Sequence, residues 1–227
     1  MKTIAIAIDG PAGAGKSTIA RALAASKGYI YVDTGALYRA VGYAVSARGE
    51  DWRDEAAVVA CLPHIEVALR HVDGQQRVFV NGEDVSDRIR TPEMSMAASA
   101  VSALPPVREF LFHLQQDIAA KNNVIMDGRD IGTVVLPNAD VKIFLSASAE
   151  ARAERRRLEL LEKGQNVTFD EVLADMKKRD YDDSHRAIAP LKQAEDAVAV
   201  DTTTLTLEES IAYMANVIES KLKEKNA

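Results

Sequence analysis

The chain has a single cysteine, Cys61, one tryptophan, and only 5% aromatic residues. One thiol closes no intramolecular disulfide and builds no multi-cysteine zinc site, so the fold has neither staple. Cys61 lies in the apolar run Val58-Val59-Ala60-Cys61-Leu62 and reads as a small buried hydrophobe. No uninterrupted apolar stretch is long enough to span a bilayer, and the first residues run straight into a strand pattern without a signal-peptide layout. The expectation is a reduced, cytoplasmic setting with no membrane partner. Basic residues are the minority: 28 Lys and Arg against 34 Asp and Glu, a net charge of −6. That balance argues against the broad basic face a nucleic-acid partner requires. No fixed-period repeat and no low-complexity tract appears. What is present is 227 residues at 47% hydrophobic content, enough for one large core or a core with insertions.

Short, nearly continuous apolar runs at 3–8, 29–32, 124–126, 141–145 and 197–200 alternate with longer helical patterns. Runs of that kind are expected of parallel strands covered on both faces. Several end in polar or acidic residues: Asp9, Asp33, Asp127, Ser146 and Asp201. In an open parallel sheet, ligands bind beyond the carboxyl ends of the strands. The segment 64–90 differs. Ile65, Val67 and Leu69 alternate with polar neighbours, Asp73-Gly74 offers a turn, Val78-Phe79-Val80 returns, and Asn81-Gly82 offers a second turn. This reads as a small antiparallel unit inserted into the parallel core. Helices are expected over 92–103 and 106–121, broken at Pro105-Pro106. Others are expected over 148–163, with Ser148 as cap and Gly164 as stop, over 168–179, and over 207–223.

The first apolar run leads into Gly10-Pro11-Ala12-Gly13-Ala14-Gly15-Lys16-Ser17, followed by the helix-like Thr18-Ile19-Ala20-Arg21-Ala22-Leu23-Ala24. This is G-x-x-x-x-G-K-S in the context it requires, after a strand and before a helix. Small residues let the backbone curl round a phosphate chain with its N–H groups inward, and the helix presents its positive end to the same anion. Lys16 would reach the β- and γ-phosphates and Ser17 would hold Mg²⁺. Asp127, at the end of a later strand, is placed to hold the same ion directly or through a water, the water-mediated contact being the one expected.

Three further clusters follow strand ends or helices. In Asp33-Thr34-Gly35-Ala36-Leu37-Tyr38-Arg39, Asp33 or Thr34 is a helix cap, or Arg39 is a phosphate clamp; both readings stand. In Asp127-Gly128-Arg129-Asp130-Ile131-Gly132-Thr133, charge is packed beside a strand end, and the glycines point to unusual geometry or close approach. Arg179-Asp180-Tyr181-Asp182-Asp183-Ser184-His185-Arg186 reads either as a solvated helix end or as part of a site; His185 receives no role. Together with Arg155 and Arg156, these segments give an acidic chain many cations near strand ends. That is the pattern for a small polyanionic substrate, where transfer needs alignment and charge neutralisation.

In this order the segments resemble the bacterial cytidylate kinases, and the resemblance runs over nearly the whole chain. It takes in the loop 10–17, Asp33 to Arg39, Val85 to Thr91, Asp127 to Asp130, Ile143 to Ala147, and Arg179 to Leu191. The resemblance implies an α/β fold of the P-loop NTPase class. Its five-stranded parallel sheet is covered by helices, with a small inserted antiparallel β/α unit at 62–104 and a helical lid at 150–166, in one domain over 1–227. It implies Mg²⁺-dependent, in-line transfer of the ATP γ-phosphate to CMP or dCMP by a monomer. ATP would lie on Gly10, Pro11, Ala12, Gly13, Ala14, Gly15, Lys16, Ser17 and Thr18. CMP would lie on Thr34, Arg39, Ser99, Arg108, Arg129, Asp130, Arg179, Asp183 and Arg186. Lys16, Arg129, Arg155, Arg156 and Arg179 would act on the transferred group. Two other readings remain: a nucleotide switch, which lacks the N-K-x-D string that reads guanine, and a kinase with a different acceptor.

Overall fold

The computed structural model describes residues 3–72, 75–162 and 164–226. The turn expected at Asp73-Gly74 lies outside the described residues, as does Lys163 at the end of an expected helix. In chain order the elements are β1 (Ala5–Asp9), α1 (Lys16–Lys27), β2 (Ile30–Asp33), α2 (Thr34–Ala47) and α3 (Glu55–Cys61). There follow β3 (Val67–Val72), β4 (Gln75–Val80), β5 (Glu83–Asp84), α4 (Pro92–Val101) and α5 (Pro105–Lys121). The chain ends with β6 (Val124–Gly128), a π-turn (Ile131–Val135), β7 (Val141–Ser146), α6 (Ala149–Glu162), α7 (Phe169–His185), β8 (Val198–Asp201) and α8 (Leu207–Asn226). Residue contacts divide the chain into two compact units, Met1–Tyr31 with Asn122–Ala227, and Val32–Lys121.

The first unit is built on a sheet of order β2-β6-β1-β7-β8. β1 pairs in parallel with β6, Ala5 opposite Val124 through Asp9 opposite Gly128, and with β7 on its other side. The strand centres are mostly apolar because helices cover both faces: Ile6, Ala7 and Ile8 are fully buried, as are Val124, Ile125 and Met126. Ile19 and Leu23 of α1 join Met214 and Ile218 of α8 in the core against Ile6, Ile125 and Ile143. The chain leaves β1 for one edge and later crosses past it from β6 to β7. The ends of β1 and β6 therefore sit at the point where the strand order reverses, where open α/β sheets bind ligands. α6 and α7 form a smaller apolar cluster of their own through Ala153, Leu160, Val172 and Met176.

The second unit has its own core, running from Leu37, Val41 and Val45 of α2 to Val78, Ile89, Val101 and Leu111. Its three strands are antiparallel. The β4–β5 turn is the Asn-Gly pair expected, with φ 49° at Asn81 and 83° at Gly82. Gly42 lets α2 and α4 cross closely, since a Cβ there would lie 2.6 Å from that of Ala97. The insert expected at 62–104 falls within this wider unit.

The apolar run through Cys61 is a short helix, α3, capped by Asp54 through the amides of Ala56 and Ala57. α7 continues to His185 rather than stopping at 179, because the charges of its last turns find partners within the protein instead of water.

Candidate active site

The loop after β1 is shaped by its glycines. Gly10 has φ 151°, and a Cβ there would come within 1.9 Å of the Leu145 carbonyl oxygen. Gly13 and Gly15 also take positive φ, 73° and 86°. Gly15 is the N-cap of α1 and contributes no side-chain cap bond, the kind of helix start that receives an anion. Lys16 is buried, its Nζ donating to the Pro11 carbonyl at 2.7 Å. Burial and the Arg129 charge hold its ammonium below the ordinary lysine range, against the pull of Asp127 and Asp9. An anion seated in the loop would restore the proton.

Beside it, Ser17 donates to Asp127 Oδ2 at 2.8 Å, and the Tyr31 hydroxyl donates to Asp127 Oδ1 at 3.0 Å. This donor set is oxygen only, the chemistry a hard divalent cation takes, so Mg²⁺ fits it. Among the described residues no cluster of three or more His, Cys, Asp or Glu could hold a metal alone. An ion there would complete its shell with phosphate oxygens and water.

After β6 come the charged residues of the second expected cluster. Arg129 Nε donates to Asp183 Oδ2 at 2.7 Å, and Arg186 Nη2 donates to Asp130 Oδ1 at 3.2 Å. Burial, the largest influence on Asp183, pushes its pKa up. The guanidinium groups of Arg129, Arg179 and Arg186 outweigh it and hold the carboxyl below the usual aspartate value. The end of α7 is therefore not a solvated helix tail: Asp183 is buried and joins α7 to the segment after β6.

Two residues given no role by sequence reasoning are central to this geometry. Asp9, at the end of β1, is buried and accepts from the amides of Ile131 and Gly132, both at 2.7 Å. Gly132 is the close approach foreseen there: a Cβ would lie 3.3 Å from Asp9 Oδ2. Arg152, also buried, donates to the Ala12 carbonyl of the phosphate loop and the Ala147 carbonyl, both at 2.9 Å, and forks onto the Asp180 carboxylate. The available signal was an Arg one turn into a helix and an Asp beside Arg179, which does not identify a pair. Arg155 Nη2 donates to the Thr202 carbonyl at 2.6 Å, while Arg156 pairs with Glu159 on the helix surface.

In the second unit, Asp33 rather than Thr34 is the cap, and it also pairs with Arg39. It caps α2 through the Ala36 amide and holds Arg39 Nη2 at 2.9 Å. Gly35 leaves room for this, with the Arg39 guanidinium 3.2 Å from where its Cβ would be. Thr34 is buried. Ser99 and Arg108 meet through Ser102, whose hydroxyl donates to the Ser99 carbonyl while its own carbonyl accepts from Arg108.

The family model for cytidylate kinase matches residues 6–220. A cytidylate kinase of Caldicellulosiruptor bescii is 51% identical over 225 residues, spanning 99% of this chain and 100% of that protein. A cytidylate kinase of Lactobacillus johnsonii is 50% identical over 218 residues, spanning 96% of this chain and 95% of that protein. A solved structure of an uncharacterized protein from Eubacterium ventriosum, 13% identical, covers 98% of this chain and 99% of its own with a TM-score of 0.51, a likeness of fold alone.

Proposed function

The chain belongs to the cytidylate kinase family and uses ATP to phosphorylate CMP or dCMP, giving CDP or dCDP; from that premise we propose how its residues divide the work. The donor triphosphate lies on residues 10–18, with Lys16 on the β- and γ-phosphates. Ser17 directly and Asp127 through a water hold Mg²⁺, which when bound neutralises charge on the phosphates. Arg129 and Arg179, with Arg39 of the second unit, bind the acceptor phosphate. Arg155 and Arg156 attend the donor phosphates from the lid. Asp183 orients Arg129 and approaches the acceptor's sugar. Little covalent chemistry is asked of the protein, since transfer in line depends on alignment and on spreading the developing charge over fixed donors.

Base choice follows from hydrogen-bond complementarity. Cytosine presents an amino donor beside two acceptors. Asp130, held by Arg186, accepts from the amino group; Arg108 and Ser99 of the second unit donate to the ring nitrogen and carbonyl, and Thr34 supports the acceptor side. Uracil would set a carbonyl against the Asp130 carboxylate. We take the enzyme to act as a cytoplasmic monomer on free nucleotides.

The observation carrying this division is the β1–β6 register. With Asp9 opposite Gly128, the phosphate loop and Arg129-Asp130 leave the sheet at adjacent strand ends. An ADP-release assay with MgATP and CMP, dCMP, UMP, AMP or GMP tests it. Strong turnover with CMP and dCMP and weak turnover with UMP is expected; equal turnover with UMP would remove the Asp130 assignment.

A further inference from the structure

Asp130 is the N-cap residue of the π-turn Ile131–Val135, yet its side chain makes no cap hydrogen bond there. An Asp at that position ordinarily satisfies the first free amides with its own carboxylate. Here those amides are taken by a residue from another strand: Ile131 and Gly132 both donate to Asp9, one to each oxygen, at 2.7 Å. The Asp130 carboxylate instead meets Arg186 Nη2 at 3.2 Å. Both acids are buried, so an unsatisfied amide nearby would draw in whichever carboxylate could reach it.

We propose that Asp9 is a positioning residue for substrate selection: by capping the turn from β1, it releases the Asp130 carboxylate from local capping and aims it at Arg186 and the base. Asp9 touches neither nucleotide in this role. It acts through Asp130 and, through the backbone they share, through Arg129. The proposal deepens the reading of Asp130 above and rests on it. Substituting Asn at position 9 keeps the size but replaces one acceptor oxygen by an amide that faces another N–H. One amide of the turn is then freed, and Asp130 is the nearest carboxylate in sequence to take it.

The experiment compares kcat and KM for CMP, UMP and ATP in the full-length enzyme and in its Asp9→Asn and Asp130→Asn variants. The expected result is at least a tenfold fall in the CMP-to-UMP ratio of kcat/KM in both variants, with KM for ATP within twofold of the parent. A purely structural role would lower the active fraction and leave both the ratio and the KM values alone. If Asp130→Asn collapses the ratio and Asp9→Asn leaves it unchanged, the proposal is overturned. If Asp130→Asn leaves the ratio unchanged, the base assignment of Asp130 fails. The proposal is then decided by KM for CMP in Asp9→Asn, where a fivefold rise keeps it and no rise overturns it. Should Asp9→Asn fail to fold, Gly132→Ala replaces it, since the added Cβ lies 3.2 Å from the flexible Lys142 side chain, which can give way, and 3.3 Å from Asp9 Oδ2, which is held by two amides, and should lower the same ratio.

Discussion

The loop after β1 and the turn after β6 leave the sheet at adjacent strand ends, and they are held in shape by different means. The first is shaped mainly from within: Gly10, Gly13 and Gly15 take backbone angles that other residues avoid, and Lys16 closes onto Pro11 five residues back, with Arg152 adding one outside hold on the Ala12 carbonyl. The second is shaped from outside. Its free amides are satisfied by Asp9 of β1, and its Arg129 is held by Asp183 of α7. A loop of the first kind announces itself as a string of residues. A turn of the second kind cannot, because its own sequence does not contain the groups that hold it.

That contrast can be broken from the first loop inward. Lys16→Ala removes the buried ammonium that the proposed division of work sets on the donor phosphates. A loss of kcat of about a hundred- to a thousandfold is expected, of the size found for removing a fixed donor at a developing charge, and single-turnover ADP release measures it. Gly10→Ala should cost at least about 3 kcal/mol in urea unfolding, since the new Cβ meets a backbone oxygen that cannot swing away. Arg152→Ala strips the clamp on the Ala12 carbonyl and leaves Asp180, whose side chain is 25% exposed, without its fork. About 2–3 kcal/mol of stability should go, less than for a fully buried pair, together with a rise in KM for ATP.

The second turn is tested by pH. Burial, the largest influence, pushes Asp9 from 3.8 up to about 6, against the lowering effect of the two amides. The folded protein therefore keeps a proton on Asp9 between about pH 4 and pH 6 that the unfolded chain has released, so this residue's contribution to stability falls as pH rises through that window and is level above it. Relative to Asp9→Asn, the parent should gain up to about 3 kcal/mol on going from pH 7 to pH 4, read from urea midpoints. Asp183 has the opposite sign: its pKa is lowered, so its stabilisation is complete above 3.8 and is lost as pH falls below it. A parent-to-Asp9→Asn difference that does not change between pH 7 and pH 4 would contradict this account of Asp9. The smallest effect belongs to Arg157→Ala, whose Glu154 pair lies on the helix surface and is screened by water; a urea midpoint indistinguishable from the parent's is expected.

Much of the architecture was legible residue by residue. The runs at 29–32, 124–126, 141–145 and 197–200 appear as β2, β6, β7 and β8 within a residue or two, because buried parallel strands are apolar on both faces whatever surrounds them. Asn81-Gly82 was legible for the same local reason. α3 was missed, since a short run of consecutive apolar residues looks alike in a short helix and a strand. The last turns of α7 were left open because Arg179, Asp183 and Arg186 read equally as solvated charges until their partners are in place.

The sequence by itself determined the phosphate loop, the parallel strands and the family, since these depend on backbone freedom, side-chain polarity and residue order along a contiguous stretch. Only the tertiary structure decided which charged residues work together. It set Asp9 under amides more than a hundred positions away, Arg152 between the phosphate loop and Asp180, and Asp183 against Arg129. A buried carboxylate or guanidinium bonds to whichever group the fold leaves unsatisfied within reach, and that neighbour is fixed by strand order and helix packing, not by adjacency in the chain.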